Sequence, residues 1–78
     1  MIDLERAREI AYRWHGGGGS PLYQFASTAK VHGKSHQENI IAECRENIED
    51  SHTTEPDCAE LRSLIEFIEQ APTKPPGI

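Results

Sequence analysis

The predicted helices are organised around residues 14–28, Trp14-His15-Gly16-Gly17-Gly18-Gly19-Ser20-Pro21-Leu22-Tyr23-Gln24-Phe25-Ala26-Ser27-Thr28. Each glycine destabilises a helix by about 1 kcal/mol, so a helix that precedes the glycine run must end by Gly16. Ser20 is a favoured N-cap residue and Pro21 a favoured first helical residue. A short helix is therefore predicted over Pro21–Thr28, and the glycines form an elbow before it.

The elbow lies inside a long acid-free part of an acidic protein. No Asp or Glu occurs between Glu9 and Glu38, although the 78-residue chain has a formal net charge of −5. Residues 1–36 carry five Lys or Arg and three Asp or Glu, whereas residues 37–78 carry three and ten. An acidic protein lacks the broad basic surface that long nucleic acids require. A small anion needs only a local positive site, and the acid-free part is predicted to provide one.

Apolar residues at helical spacing predict three further helices. The first is expected from Ile2 to Trp14. The third is expected from His36 to Glu49, because Ser35-His36-Gln37-Glu38 fits a capping box with Ser35 as the cap. The fourth is expected to begin at Thr54-Glu55-Pro56 and to end near Gln70. The predicted apolar faces are Ala7, Ile10, Ala11 and Trp14; Leu22, Phe25 and Ala26 or Ala29; Ile40, Ile41, Cys44 and Ile48; and Cys58, Leu61, Leu64, Ile65 and Ile68.

These segments predict an all-α fold, a small domain of three to four helices over residues 1–71. The last two helices are expected to pack as an antiparallel hairpin. Residues 72–78 are Pro-rich and are predicted to form a disordered tail. So short a chain buries a modest core, and it has only two cysteines and no zinc-finger spacing, so a homo-oligomer is expected.

The composition also predicts the compartment. No apolar run approaches the roughly 18 residues that span a bilayer. The charged N-terminus, which no continuous apolar core follows, is unlike a signal peptide. We therefore expect no membrane association and a cytoplasmic location, where Cys44 and Cys58 stay reduced and lie buried on apolar helix faces.

The glycine run is predicted to hold phosphate through backbone N–H groups at the positive end of the following helix. Arg, His and Lys side chains would supply charge, and Tyr12 or Tyr23 would stack against a base, which is worth roughly 1–3 kcal/mol. Gly33-Lys34-Ser35 resembles the end of a P-loop, but Thr28 replaces the first glycine of that motif, so an ordinary capped helix is favoured there. The alternative is that the glycines are a flexible connector and the tyrosines cover the core. The predicted ligand-binding residues are Tyr12, Arg13, His15, Gly16, Gly17, Gly18, Gly19, Ser20, Tyr23, Ser27, Thr28, Lys30 and Lys34.

The same residues argue against catalysis, a metal and a cofactor. His15, His32 and His36 cluster in the acid-free part, but there is no His-Glu-x-x-His motif, and a zinc site needs three or four converging ligands. No Gly-x-Ser-x-Gly nucleophile motif occurs. The acid-free part is expected to leave no carboxylate near the glycines to act as a general base. We therefore expect binding without turnover.

The Gly-rich stretch followed by Ser, Leu-Tyr, Phe and Ser-Thr within Trp14–Thr28 resembles a segment in small uncharacterised proteins of phages and actinobacteria. The likeness covers about a fifth of the chain. In size, acidity and local anion site, the chain also resembles by type the very small oligomeric phage proteins that sequester nucleotide second messengers of bacterial defence systems. That resemblance implies a bacterial cytoplasm, with a phage as one source of the gene.

Two functions follow from these observations. The first is non-catalytic sequestration of a phosphate-bearing small ligand, such as a cyclic or ADP-ribose-type nucleotide, in a site that two chains build. The second is a protein-interaction module or inhibitor that docks on a host protein. Its working surface would be the acidic helices, and the glycines would be only an elbow. The acids in question are Glu43, Glu46, Glu49, Glu60, Glu66 and Glu69.

Overall fold

The computed structural model describes residues 1–73, and over that range the protein is helical, with no strand. Its elements are α1 (Leu4–Trp14), α2 (Pro21–Thr28), α3 (Lys34–Glu49) and α4 (Glu55–Gln70). The predicted all-α class is confirmed. Most of the predicted disordered tail, residues 74–78, lies outside the described residues. Within residues 1–73, no helix has the length and apolar character that crossing a bilayer requires.

The starts of α1 and α2 follow from local capping chemistry. The Asp3 carboxylate accepts a hydrogen bond from the Arg6 N–H at 2.8 Å, so α1 begins two residues later than Ile2. Ser20 Oγ accepts from the Tyr23 N–H at 3.0 Å, and Pro21 is the first residue of α2, as predicted. Both caps satisfy N–H groups that a helix cannot pair internally.

The predicted start of α3 is wrong. The helix begins at Lys34 rather than His36, and its N-cap is Gly33, with no side-chain hydrogen bond at the cap. Gly33 has φ +114°, a conformation that favours glycine and lets the chain enter the helix before it reaches Ser35. Ser35 is consequently an exposed residue of the first turn, not a cap.

The core forms where the four apolar faces meet. Trp14, Ile41 and Ile48 are only half-buried at its edge. Phe67, which lies off the α4 stripe, is also half-buried, and its ring centroid is 6.3 Å from that of Phe25. The core consists of Ala7, Ile10, Ala11, Leu22, Phe25, Ala26, Ile40, Cys44, Leu61, Leu64, Ile65 and Ile68.

Both cysteines are buried free thiols, as predicted for Cys44 and Cys58. Burial, with a smaller contribution from the neighbouring Glu43 carboxylate, raises the pKa of the Cys44 thiol to about 12. Because the thiolate is the reactive form, Cys44 is not a nucleophile at neutral pH.

Polar contacts fix α1 against its neighbours. Arg8 Nε donates to the Ala26 carbonyl at 3.0 Å, which joins α1 to the last turn of α2. Arg6 and Arg13 both bond the Glu60 carboxylate of α4, at 2.8 and 2.7 Å. These contacts hold α1 against α2 and α4.

Candidate functional site

The backbone N–H groups of the glycine segment and of α2 hold a carboxylate from the chain itself. The Leu22 N–H donates to Glu43 Oε2 at 3.0 Å, and the Gly16 N–H donates to Glu43 Oε1 at 3.3 Å. The Tyr23 N–H donates to Ser20. The two side chains that accept hydrogen bonds at the start of α2, Ser20 and Glu43, therefore both belong to this chain. The α2 N-terminus is thus an anion site, as its dipole and glycines suggest, but Glu43 is its anion.

The expectation that no carboxylate lies near the glycines is therefore wrong. Glu43 is 27 residues from Gly16 and comes from the middle of α3. A range of sequence without acids can therefore have a carboxylate beside it in the folded protein. A signal for this role was present in the sequence. Glu43 directly precedes the buried Cys44 and lies three residues after the buried Ile40, so it is at the edge of the apolar face of α3.

The predicted cationic residues do not gather at the glycine segment. Arg13 pairs with Asp57 at 2.9 Å and with Glu60 at 2.7 Å, and its guanidinium lies 5.5 Å from the Trp14 ring centroid. Lys30 and Lys34 follow the end of α2, whose eight residues span about 12 Å. Arg13 is therefore committed to α4, and the two lysines lie beyond the opposite end of α2 from the glycine segment.

The start of α2 reaches two places on α3, and one of them is the first turn of α3, where the backbone of Pro21 lies beside His36. The start of α2 bonds Glu43, which lies nine residues after Lys34, the first residue of α3. Nine residues of helix correspond to about 13 Å along its axis. The start of α2 thus lies along α3 between His36 and Glu43.

Three predicted ligand residues do come together as an aromatic cluster of Tyr12, His15 and Tyr23. The His15 ring centroid is 5.2 Å from that of Tyr12 and 5.1 Å from that of Tyr23, both in edge-on geometry. His15 Nδ1 accepts a hydrogen bond from the Gly17 N–H at 3.1 Å, which joins the cluster to the glycine segment. Tyr12 is 61% exposed.

The remaining predicted ligands lie near the end of α2. Ser27 is exposed there. Thr28 Oγ1 donates to the Gln24 carbonyl at 2.8 Å, and it is 3.5 Å from His32 Nε2. His36 Nδ1 accepts from the His32 N–H at 3.0 Å. Burial lowers the pKa of His36, and the neighbouring His32 lowers it further. Within residues 1–73, no group of three or more His, Cys, Asp or Glu is arranged to hold a metal ion.

One face of α3, together with Glu69 of α4, carries what we term the acidic groove, of about 430 Å³. Ile41 and Ala42 contribute apolar surface to it, and Arg45 is the one basic residue that lines it in the described part of the chain. Of the six acids predicted as a working surface, Glu43 and Glu60 are committed to the internal contacts described above. The groove is lined by Glu38, Ile41, Ala42, Arg45, Glu46, Glu49 and Glu69.

Neither Glu38 nor Ile41 is among the residues predicted for this surface. The signal was their helical spacing, because Glu38, Ile41, Arg45 and Glu49 recur at three- and four-residue intervals and share one face of α3. Comparison of the chain with protein-family models, curated proteins and solved structures found no match. The geometry of these surfaces is accordingly the basis for assigning a function.

Proposed function

We propose that the protein is a non-catalytic protein-interaction module whose acidic groove docks a basic, amphipathic segment of a partner protein. The observation that carries the proposal is the groove itself, in which four carboxylates surround an apolar floor of Ile41 and Ala42, and Arg45 is the only counter-charge among residues 1–73. Lys and Arg side chains of a partner would pair with the carboxylates while its apolar face covers the floor.

The carboxylates of the groove are available for such a partner. Glu38, Glu46, Glu49 and Glu69 are exposed, and none of them makes an ion pair with another residue within 1–73. The net charge of −5 would also accelerate encounter with a basic surface. The glycine segment then has a structural role, as an elbow closed by Glu43.

The rest of the predicted architecture is consistent with this function. We propose that α3 and α4 form an antiparallel hairpin, because Gln37 near the start of α3 donates to the Ile68 carbonyl near the end of α4 at 2.8 Å. Cys58 near the start of α4 lies 3.8 Å from the Ile48 carbonyl near the end of α3.

A homo-oligomer also remains our proposal, since so short a chain buries little surface, and sedimentation velocity tests it.

The docking proposal is tested with a defined probe, an 18-residue amphipathic helix of Lys and Leu, by fluorescence anisotropy. The double variant Glu46→Gln/Glu69→Gln removes two groove charges and should weaken binding about twofold to thirtyfold, since an exposed pair contributes about 0.2–1 kcal/mol. The matched control Glu5→Gln/Glu55→Gln makes the same change in net charge away from the groove. Equal weakening in both variants, or no binding by the wild type, would contradict the proposal.

We keep nucleotide sequestration as a second candidate because the aromatic cluster of Tyr12, His15 and Tyr23 adjoins the glycine segment. An exposed tyrosine ring suits a nucleobase. Glu43 already accepts from the N–H group of Leu22, and Arg13 is already paired with Asp57. Both contacts argue against a phosphate subsite there.

Isothermal titration with a panel of cyclic and ADP-ribose-type nucleotides tests this second candidate. Gly18→Asp is a suitable variant, because a Cβ at Gly18 meets nothing within 4 Å and its backbone is not left-handed. The candidate predicts that this added carboxylate abolishes nucleotide binding and leaves binding of the basic probe unchanged. Absence of heat with every nucleotide, for the folded wild type, would exclude it.

A further inference from the structure

A second groove, which we term the apolar groove, lies where the start of α1, the connection from α2 to α3 and the end of α4 meet. Its volume is about 580 Å³, within the range of about 300–1,000 Å³ that is usual for small-ligand sites. Leu4, Phe25, Val31 and Phe67 provide its apolar wall. Leu4 is 44% exposed, so its side chain is accessible to a ligand in the groove.

The titratable residues that line the apolar groove in the described part of the chain are basic. Among residues 1–73, no Asp or Glu lines it, although the chain has 13 of them, and the titratable residues that line it are Lys30 and His32. Lys30 makes no ion pair with any residue in 1–73. An apolar cavity with one unpaired cation at its side is complementary to a molecule that has a hydrocarbon body and a negatively charged end.

We propose that the apolar groove binds a small amphiphilic carboxylate, a free medium-chain fatty acid, with its chain along Leu4, Val31 and Phe67 and its carboxylate at Lys30. The site shares no residue with the acidic groove or with the aromatic cluster. It is therefore independent of the proposed function. Each methylene buried contributes about 0.8 kcal/mol, so affinity should rise about fourfold per carbon until the groove is filled.

The test is isothermal titration of the full chain with hexanoate, octanoate and decanoate, each below its micelle concentration, and with the matching neutral alcohols. We expect the fourfold rise per methylene, and tighter binding of each carboxylate than of its alcohol. Lys30→Ala should weaken carboxylate binding about twofold to fivefold without affecting the alcohols, because Lys30 is an exposed cation. Lys34→Ala is the matched control, since Lys34 is also an exposed lysine but does not line the groove.

Several results would overturn the proposal. They are no carboxylate binding, binding that does not depend on chain length, and equal weakening by Lys30→Ala and Lys34→Ala. A further one is a dimer in sedimentation velocity that Phe67→Asp dissociates while the variant stays helical by circular dichroism. That result would assign the groove to a second copy of the chain.

Discussion

Removal of the Glu43 carboxylate should destabilise the fold far more than removal of any neighbouring acid. Glu43 accepts from the Leu22 N–H at 3.0 Å and from the Gly16 N–H at 3.3 Å. A hydrogen bond to a charged group contributes about 1.5–3 kcal/mol, and the 3.3 Å contact is longer than the usual range of about 2.7–3.2 Å, so it contributes less. Partial exposure of Glu43 reduces both values. Glu43→Ala should therefore cost about 2 kcal/mol.

That loss is measurable by circular dichroism during thermal unfolding. For a domain of this size, about 2 kcal/mol corresponds to a decrease in Tm of roughly 8–16 °C. Glu43→Gln keeps an acceptor oxygen but loses the charge, so it should cost about half as much. The control is Glu46→Ala, one turn away and exposed, which should change stability by less than about 0.5 kcal/mol.

Amide hydrogen exchange measures the Glu43 contact locally, independently of the global unfolding. In Glu43→Ala the Gly16 and Leu22 amides should exchange faster relative to core amides such as that of Leu64. If Glu43→Ala and Glu46→Ala lower Tm equally, and the exchange of these two amides is unchanged, the carboxylate does not close the elbow and the reasoning fails.

Three further predictions concern backbone conformation and protonation. Gly17 has φ +136°, whereas Gly18 is not left-handed and has open space around a Cβ. Gly17→Ala should therefore lower the free energy of unfolding in urea by about 1–3 kcal/mol. Gly18→Ala should be neutral or slightly stabilising. The reverse order would contradict the described glycine conformations. Ala29 ends α2 at φ 56°, so Ala29→Gly should raise the free energy of unfolding by about 0.5–1 kcal/mol, and a fall in Tm would refute the left-handed assignment. Because the pKa of His36 is lowered from 6.5 in the fold, the unfolded chain takes up this proton first, and stability should decrease as pH falls below 6.5. In chemical unfolding, the free energy of unfolding should depend less on pH for His36→Gln than for the wild type. An unchanged dependence would contradict the lowered pKa of His36.

The parts of the fold that could be predicted are those specified by neighbouring residues. Ser20 and Pro21 lie directly before and at the start of α2, and they fix its beginning without help from the rest of the chain. The apolar stripes of α1 and α4 likewise identify their buried faces. The start of α3 was missed because Ser35 satisfies a capping pattern, while the decisive residue is Gly33 with its positive φ. The end of α2 carried no glycine signal, since Ala29 occupies the left-handed position.

The candidate site depends on contacts that are distant in sequence, and these could not be read from local patterns. The closeness of Tyr12, His15 and Tyr23 follows from a short elbow between two helices, so sequence reasoning could anticipate it. The Glu43 contact requires α3 to pass beneath the start of α2, which only the tertiary packing determines. An acid-free range of sequence is consequently weak support for an anion site in a small helical protein.

The most direct test of the proposed function is the map of amide chemical-shift changes in a ¹H–¹⁵N spectrum titrated with the Lys–Leu probe helix. If the probe docks in the acidic groove, saturable changes occur at the amides of Glu38, Ile41, Glu46 and Glu69. The amides of Gly16 and Leu22 are unmoved because Glu43 keeps them bonded. Saturable changes confined to the glycine segment, or spread evenly over all exposed acids, would contradict the proposed function.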